Sequence, residues 1–158
     1  MSTAEKFRLN LGCGKFPLEG YVNVDSHEPA DIEGNVWACQ FEQVDEVRMD
    51  HFLEHFGWRE TVPLLERVRS WMVKGGRLDL EVPDTSAILD FWRDNPDWLR
   101  YVYGSQQHEG EFHKNGFTQE SLEKALADAG FEQISVTWIR SEHPSRRGMA
   151  CLKAVAFA

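Results

Sequence analysis

Two stretches of the sequence combine residue types that do chemistry. Near the amino terminus, Gly12 and Gly14 flank Cys13 directly after an apolar run, and Asp25 follows the next such run. A glycine turn after a buried strand lets the backbone approach a ligand closely, because glycine has no Cβ and tolerates positive φ. A carboxylate at the end of the next strand offers two oxygens to ribose hydroxyls. These residues predict a nucleotide site, although two glycines also fit an ordinary turn beside a surface aspartate.

The second stretch, HFLEH, contains His51, Glu54 and His55. It satisfies the pattern HxxEH, in which two histidines one helical turn apart bind zinc and the glutamate acts as general base. That site requires a long helix and a third ligand, whereas this segment follows a predicted strand and soon meets Gly57. We favour local hydrogen bonding by Glu54 and His55 and assign no metal ligand. Binding of a divalent ion near His51, Glu54 and His55 stays open.

A polar loop later in the chain carries two more histidines, His108 and His113. It is expected to lie over the carboxyl ends of the strands, where open α/β sheets bind ligands. Either ring could deprotonate an acceptor hydroxyl or amine. Both also fit a solvated loop.

Alternating apolar runs and helical periodicity predict elements that position these residues in an α/β fold, with one domain over residues 1–158. The predicted strands are 7–11, 21–24, 31–36, 44–49, 78–82, 131–139 and 149–157. A helix is predicted over 59–73, ended by Gly75 and Gly76, and helical structure over 86–103. Asp84 and Thr118 are predicted N-caps. The short connection before the last strand predicts an antiparallel pair in a mostly parallel sheet.

Composition excludes several classes of protein. The 158 residues include 17 Lys plus Arg against 26 Asp plus Glu, a formal net charge of −9. This balance argues against tight binding to nucleic acid, which depends largely on Lys and Arg. No apolar run approaches the ~20 residues that span a bilayer, and no signal peptide is recognised, so we expect a cytoplasmic protein without membrane contact. Three cysteines without CxxC spacing fit a reducing compartment.

Four segments, taken together and in order, resemble a small class I S-adenosylmethionine-dependent methyltransferase of the type 11-like kind. They are LNLGCGKFPLEGYVNVD, DEVRMDHFLEHF, VKGGRLDLEVPD and HKNGFTQESLEKALADAGF. The resemblance extends over nearly the whole chain. It implies a Rossmann-like, mostly parallel sheet with an antiparallel C-terminal strand, and S-adenosylmethionine as cofactor.

The resemblance also implies where the cofactor binds. The implied residues are Gly12, Cys13, Gly14, Asp25, Ser26, Asn35, Asp50 and His51. The glycine loop matches the part that lies against the methionine end of the cofactor, and Asp25 matches the acid that binds the ribose. Asn35 falls where the family often has an aspartate near the adenine amino group. Asp50 and His51 fall beside the transferable methyl.

The reaction implied is in-line displacement of the sulfonium methyl by a small-molecule acceptor, with S-adenosylhomocysteine as product. His51 or His113 is the candidate general base, His113 being preferred in its loop because HKNGF recurs in the family. Two other functions stay open from the residues themselves. They are a zinc-dependent hydrolase built on HFLEH and a non-catalytic cofactor-binding module.

One feature departs from the family pattern. Only KFPLEG separates the glycine loop from the second strand, whereas a parallel crossover ordinarily needs a dozen or more residues, usually a helix. The first crossover helix is therefore predicted to be shortened or missing. Apolar strands in this architecture need cover on both faces, so we hypothesise a homodimer that covers the exposed face.

Overall fold

Residues 6–158 are described by a computed structural model, in which seven strands form one sheet. The strands are β1 (Arg8–Leu11), β2 (Val22–Asp25), β3 (Ile32–Glu33), β4 (Val44–Asp50), β5 (Met72–Pro83), β6 (Glu132–Arg140) and β7 (Ala150–Phe157). Their order across the sheet is β3-β2-β1-β4-β5-β7-β6. The first five strands pair in parallel, and β7 pairs antiparallel with both neighbours. This confirms the predicted fold class. The third strand is shorter than its predicted range 31–36.

In the described residues, four helices accompany the sheet. They are α1 (Thr61–Trp71), α2 (Thr85–Phe91), α3 (Trp98–Tyr103) and α4 (Gln119–Asp128), and single 3-10 turns cover Leu53–His55 and Glu109–Glu111. The Asp84 side chain caps α2 by accepting from the Ala87 N–H, as predicted. Thr118 and Ser121 form a capping box at the start of α4, which confirms the second predicted cap.

The predicted end of the first helix is wrong. Helix α1 ends at Trp71, and Met72 is already extended and paired with Val44. Gly75 and Gly76 lie within β5, where the Gly75 N–H donates to the Ala158 carbonyl at 2.7 Å. Gly75 has φ +75°, a conformation that glycine tolerates. Here it allows a bend within the strand, whereas the sequence predicted that it ends a helix.

The larger hydrophobic cluster lies on one face of the sheet, while a smaller one joins Ala87 and Ile88 of α2 to residues 149–151. In the larger cluster, helices α1 and α4 pack against alternate residues of the central strands, such as Leu9, Val47, Leu78 and Ala154. Strand residues alternate between the two faces, so the periodic apolar positions of β1, β4, β5 and β7 all point to these two helices.

The opposite face of the sheet carries charge. Its residues on the central strands include Arg8, Asn10, Asn23, Arg48, Asp50, Arg77, Asp79, Glu81 and Lys153. Arg77 and Lys153 contact the Asp79 carboxylate at 2.9 and 3.3 Å, and Arg48 contacts Asp50 at 2.7 Å. A polar face can meet water directly. The premise of the homodimer hypothesis, an apolar face in need of cover, is therefore wrong.

The first crossover has no helix, as predicted. Residues 12–21 form turns, and the buried Asn23 side chain fastens them to the sheet. Its Oδ1 accepts from the Leu18 N–H at 2.8 Å and from the Asn10 side chain at 2.9 Å, and its Nδ2 donates to the Leu18 carbonyl at 3.1 Å. Within residues 6–158, no helix is long and apolar enough to cross a membrane.

Candidate functional site

A cavity of about 460 Å³ opens at the carboxyl ends of the parallel strands. This size falls in the range of small-molecule sites, and the position is where open α/β sheets bind ligands. Its walls include all eight residues predicted to bind the cofactor, namely Gly12, Cys13, Gly14, Asp25, Ser26, Asn35, Asp50 and His51. The structure thus brings together residues from four separate segments of the chain.

The glycine loop and Asp25 are in direct contact. The Gly14 N–H donates to Asp25 Oδ2 at 2.9 Å, while Oδ1 accepts from the N–H groups of His27 and Glu28 at 2.8 and 3.0 Å. Three backbone donors therefore fix the carboxylate at the rim of the loop. A carboxylate has about four acceptor positions, so Asp25 retains capacity for a ligand hydroxyl.

Glycine is required in this loop for two different reasons. Gly12 has φ +68°, and a Cβ there would collide with the ring of Phe52. Gly14 has φ +53°, and no atom lies within 4 Å of the place its Cβ would take. The space beside Gly14 is part of the cavity, so the backbone is open to a ligand at this point.

His51 is held between two acidic side chains. Its Nδ1 lies 3.3 Å from Glu54 Oε1, and its Nε2 lies 3.1 Å from Glu81 Oε1. Burial opposes the charge on His51, but hydrogen bonds with Cys151, Glu54 and Glu81 outweigh it and raise the pKa of His51 well above its ordinary value. The two carboxylates therefore favour the protonated form of the ring. An imidazolium donates protons to its partners and has no lone pair with which to accept one.

The backbone of His51 is unusual as well. It has φ +54°, a conformation that side-chain-bearing residues rarely adopt. The turn directs the chain from β4 into the 3-10 turn Leu53–His55, and the His51 N–H donates to the Glu81 carbonyl at 2.8 Å. Residues held in such conformations cluster at functional sites.

His113 lies behind the cavity wall. Its side chain is 1% exposed, and its Nε2 lies 4.0 Å from Glu54 Oε1. Nδ1 lies 3.1 Å from the carbonyl oxygen of Tyr101. Burial lowers the pKa of His113 to about 4, so the ring is neutral. The structure does not place His113 on the cavity lining, whereas the other loop histidine, His108, is there.

Several lining residues were not predicted as ligands from the sequence, among them three with basic side chains. His143 and Arg146 come from the loop between β6 and β7, and Arg100 comes from α3. Because β7 is antiparallel to both neighbours, β6 runs in the direction of the parallel strands and its carboxyl end meets the same edge. The rule that ligands bind at the carboxyl ends of the strands, applied to β6, would have predicted that this loop lines the site.

The HxxEH interpretation does not fit the backbone. His51 precedes the short turn Leu53–His55 and faces Glu81, while His55 Nδ1 lies 3.1 Å from the Phe112 carbonyl oxygen. Groups of potential metal ligands among residues 6–158 do not combine His51 with His55. The long helix that would align the two rings is absent from this part of the described chain.

Solved structures of similar fold identify the architecture. A S-adenosylmethionine-dependent methyltransferase from Methanosarcina mazei matches with a TM-score of 0.66 over 97% of this chain and 92% of its own, at 18% identity. The chain has the class I methyltransferase fold. A longer structure from Nostoc punctiforme shares this fold with a TM-score of 0.64 and 15% identity, and the chain covers 53% of it while matching over 99% of its own length.

The methyltransferase fold is also shared with an enzyme solved in complex with its ligands. This is the 1,6-didemethyltoxoflavin-N1-methyltransferase of Burkholderia thailandensis, solved with its substrate and S-adenosylhomocysteine. Its TM-score is 0.63, with 17% identity over 96% of this chain and 70% of the other. No protein-family model matches the chain. No curated protein matches it in sequence.

Proposed function

We propose that this protein is a S-adenosylmethionine-dependent methyltransferase acting on a small-molecule acceptor. The observation that carries the proposal is the contact between the glycine loop and Asp25 at the rim of the cavity, 2.9 Å from Gly14 N to Asp25 Oδ2. That contact joins the two features expected to hold the methionine and ribose parts of one ligand. The methyltransferase fold supports the assignment, as does the neighbour solved with S-adenosylhomocysteine.

The residues present fit this cofactor. The backbone at Gly14 is open to the cavity, Asp25 keeps acceptor capacity for ribose hydroxyls, and Asn35 offers an amide oxygen to the adenine amino group. When bound, the cofactor supplies a methyl group already activated by a positively charged sulfur. The chain's own part is to orient the acceptor and exclude water, and such positioning can lower a barrier by roughly 7 to 11 kcal/mol in the best cases.

The two predicted catalytic histidines are kept in the proposal with the tasks that their geometry allows. His51 lines the cavity and orients the carboxylates of Glu54 and Glu81, which lie against its two ring nitrogens. His113 lies behind the wall with its Nε2 4.0 Å from Glu54 Oε1, so we assign it a positioning role for the segment around Glu54. We propose that neither ring removes the acceptor proton itself, because both nitrogens of His51 face carboxylates and His113 is outside the cavity lining.

Calorimetry with S-adenosylhomocysteine tests the cofactor assignment. Asp25→Asn removes the charge while keeping one acceptor oxygen, and we expect at least a tenfold weaker affinity, which corresponds to about 1.4 kcal/mol. The matched control is Asp90→Asn, which changes the same charge on the exposed surface of α2. Wild-type protein that binds no S-adenosylhomocysteine, or equal affinities for the wild type and Asp25→Asn, would contradict the proposal.

Isotope labelling of the transferred methyl group is the experiment that identifies the methyl acceptor. Extracts incubated with the protein and isotopically methyl-labelled cofactor are expected to yield a labelled small molecule in mass spectrometry. A Gly12→Ala protein is the control, because the added Cβ collides with Phe52 and distorts the loop. Label that appears only in protein or nucleic acid would overturn the small-molecule assignment.

A homodimer remains a prediction that sedimentation velocity tests. The paired charges on the polar sheet face mean that a dimer formed there would be polar and sensitive to salt. A monomer at all concentrations and at low salt would remove the prediction. The three cysteines are free, which is consistent with the expected cytoplasmic location.

A further inference from the structure

We propose that Glu54, His55 and His113 form a binding site for one divalent transition-metal ion beside the cavity. Each residue offers one ligand atom, and these atoms lie within 4.8 Å of one another. Glu54 and His55 are neighbours in the 3-10 turn, while His113 comes from a segment far along the chain. The site therefore exists only in the folded protein.

In both histidines, Nε2 is the nitrogen available to bind a metal ion. Nδ1 of His55 lies 3.1 Å from the Phe112 carbonyl oxygen, and Nδ1 of His113 lies 3.1 Å from that of Tyr101. A carbonyl can only accept, so each Nδ1 carries the proton and each Nε2 keeps its lone pair when the ring is neutral. Histidines that bind metals are usually oriented by this kind of hydrogen bond from the second nitrogen.

Glu54 provides the strongest evidence for a cation site. The residue is 1% exposed, its Oε1 lies 3.3 Å from His51 Nδ1, and its Oε2 has no hydrogen-bond partner among the described residues. His113 Nε2 is buried and unpartnered in the same way. A buried unsatisfied polar group costs about 1 to 3 kcal/mol, and more when it is charged. A cation between these atoms would satisfy all of them.

The groups around Glu54 leave one of its carboxylate oxygens free. His51 Nδ1 lies 3.3 Å from Glu54 Oε1, and His113 Nε2 lies 4.0 Å from the same oxygen. Glu54 Oε2 remains without a partner and is available to a metal ion.

The backbone holds the ligand segments together before any ion binds. The Glu54 carbonyl accepts from the N–H groups of Lys114 and Asn115, at 2.8 and 3.2 Å. The Asn115 side chain also donates to Thr61 Oγ1 at 3.0 Å. These bonds fix His113 next to the turn that carries Glu54 and His55. Metal–ligand bonds of about 2.0 to 2.2 Å then require only that the side chains close inward from their present separation.

The donor set selects a class of metal. Two imidazole nitrogens and one carboxylate oxygen suit Mn²⁺, Fe²⁺, Co²⁺ or Zn²⁺, whereas Ca²⁺ and Mg²⁺ prefer oxygen ligands. Three protein ligands leave coordination positions for water or for a donor atom of a bound molecule. His55 also lines the cavity, so these positions adjoin the space proposed for the acceptor.

Zinc titration of chelator-treated protein tests the site. Calorimetry with Zn²⁺ alone is expected to show one equivalent bound by the wild type, and at least tenfold weaker binding by His55→Gln and by His113→Gln. The matched control is His108→Gln, which removes a histidine of the same cavity that is outside the ligand cluster. Co²⁺ offers a second readout, since a site with nitrogen ligands gives visible absorption that both ligand variants should lose.

The outcomes separate this site from the proposed function. Absence of zinc binding by the wild type, or wild-type affinity in His55→Gln, would overturn the metal site. His55 is partly exposed, so His55→Gln is expected to fold. Circular dichroism checks the fold of both ligand variants. If His113→Gln does not fold, the test depends on His55→Gln. S-adenosylhomocysteine binding is measured in chelator. Loss of that binding with zinc binding intact contradicts only the methyltransferase proposal.

Discussion

At the scale of single residues, the site depends on conformations that few residue types can adopt. Gly12 and Gly14 both have positive φ, and His51 adopts positive φ although it carries a side chain. The two glycines were recognisable from the sequence because their type reveals the conformation. The turn at His51 was not, because nothing in the identity of a histidine indicates left-handed backbone; the hydrogen bond from its N–H to Glu81 is a tertiary contact.

Gly12→Ala is expected to destabilise the protein by about 1 to 3 kcal/mol, because it combines positive φ with a steric collision. The collision is with the ring of Phe52, which packs on the loop. Urea unfolding measures the change. Gly34→Ala is the control, since no atom lies within 4 Å of that Cβ and its φ is outside the left-handed region. Equal losses in the two variants would contradict the steric explanation.

At the scale of elements, a hydrogen-bonded loop replaces the first crossover helix. The Asn23 side chain binds Leu18 and Asn10, and the Asp31 carboxylate accepts from both the backbone and the side chain of Asn23. The sequence predicted the missing helix from its length alone. It did not predict this network, because the partners are brought together only when β1 and β2 pair.

Asp31 should make stability sensitive to acid. The hydrogen bonds from Asn23 lower the pKa of Asp31 below its ordinary value of 3.8. A carboxylate with a lowered pKa in the folded state stabilises fully above the ordinary value, and this contribution is lost as pH falls through the folded-state pKa. We expect Asp31→Asn to be less stable than the wild type at pH 7, and the difference to shrink below pH 3.8.

Unfolding in urea at a series of pH values measures this dependence. Asp90→Asn is the control, because Asp90 lies exposed on α2 and its substitution should leave the pH profile unchanged. A constant difference between wild type and Asp31→Asn across the acid range would contradict a role for the Asp31 charge.

The boundary between α1 and β5 shows where periodicity fails. The apolar spacing continued past Trp71, and the paired glycines suggested a helix end. Met72 leaves the helix because it pairs with Val44 of β4, and Gly75 bonds to the carbonyl of Ala158. Both partners are distant in sequence. Local propensity could therefore give the presence of a helix but not the residue at which it ends.

At the scale of the whole molecule, one cavity is built by loops from both halves of the chain. Gly12, Asp25 and His51 come from the first half, while Arg100 and His143 come from the second. A ligand in this cavity would contact segments from both halves at once. The proposed cofactor should for this reason stabilise the fold as a unit.

S-adenosylhomocysteine at 100 times its dissociation constant is expected to add about 2.7 kcal/mol to the free energy of unfolding. For a chain of this size, that corresponds to a rise in Tm of about 5 to 10 °C. A thermal-shift measurement checks it, with methionine as the ligand control because it lacks the adenosine that Asp25 should bind. A similar rise with methionine, or none with S-adenosylhomocysteine, would contradict the predicted mode of binding.

The sequence by itself determined the order of strands and helices along the chain, the glycine loop and the acid at the end of β2. It also determined that the first crossover has no room for a helix. Each depends on local periodicity, residue type or chain length, which the linear order contains. Only the tertiary structure decided that one face of the sheet is charged and that His51 lies between two carboxylates. It also decided that Glu54 and His55 lie close to His113. These features depend on which strands are neighbours and on side-chain contacts between distant segments, and those follow from packing.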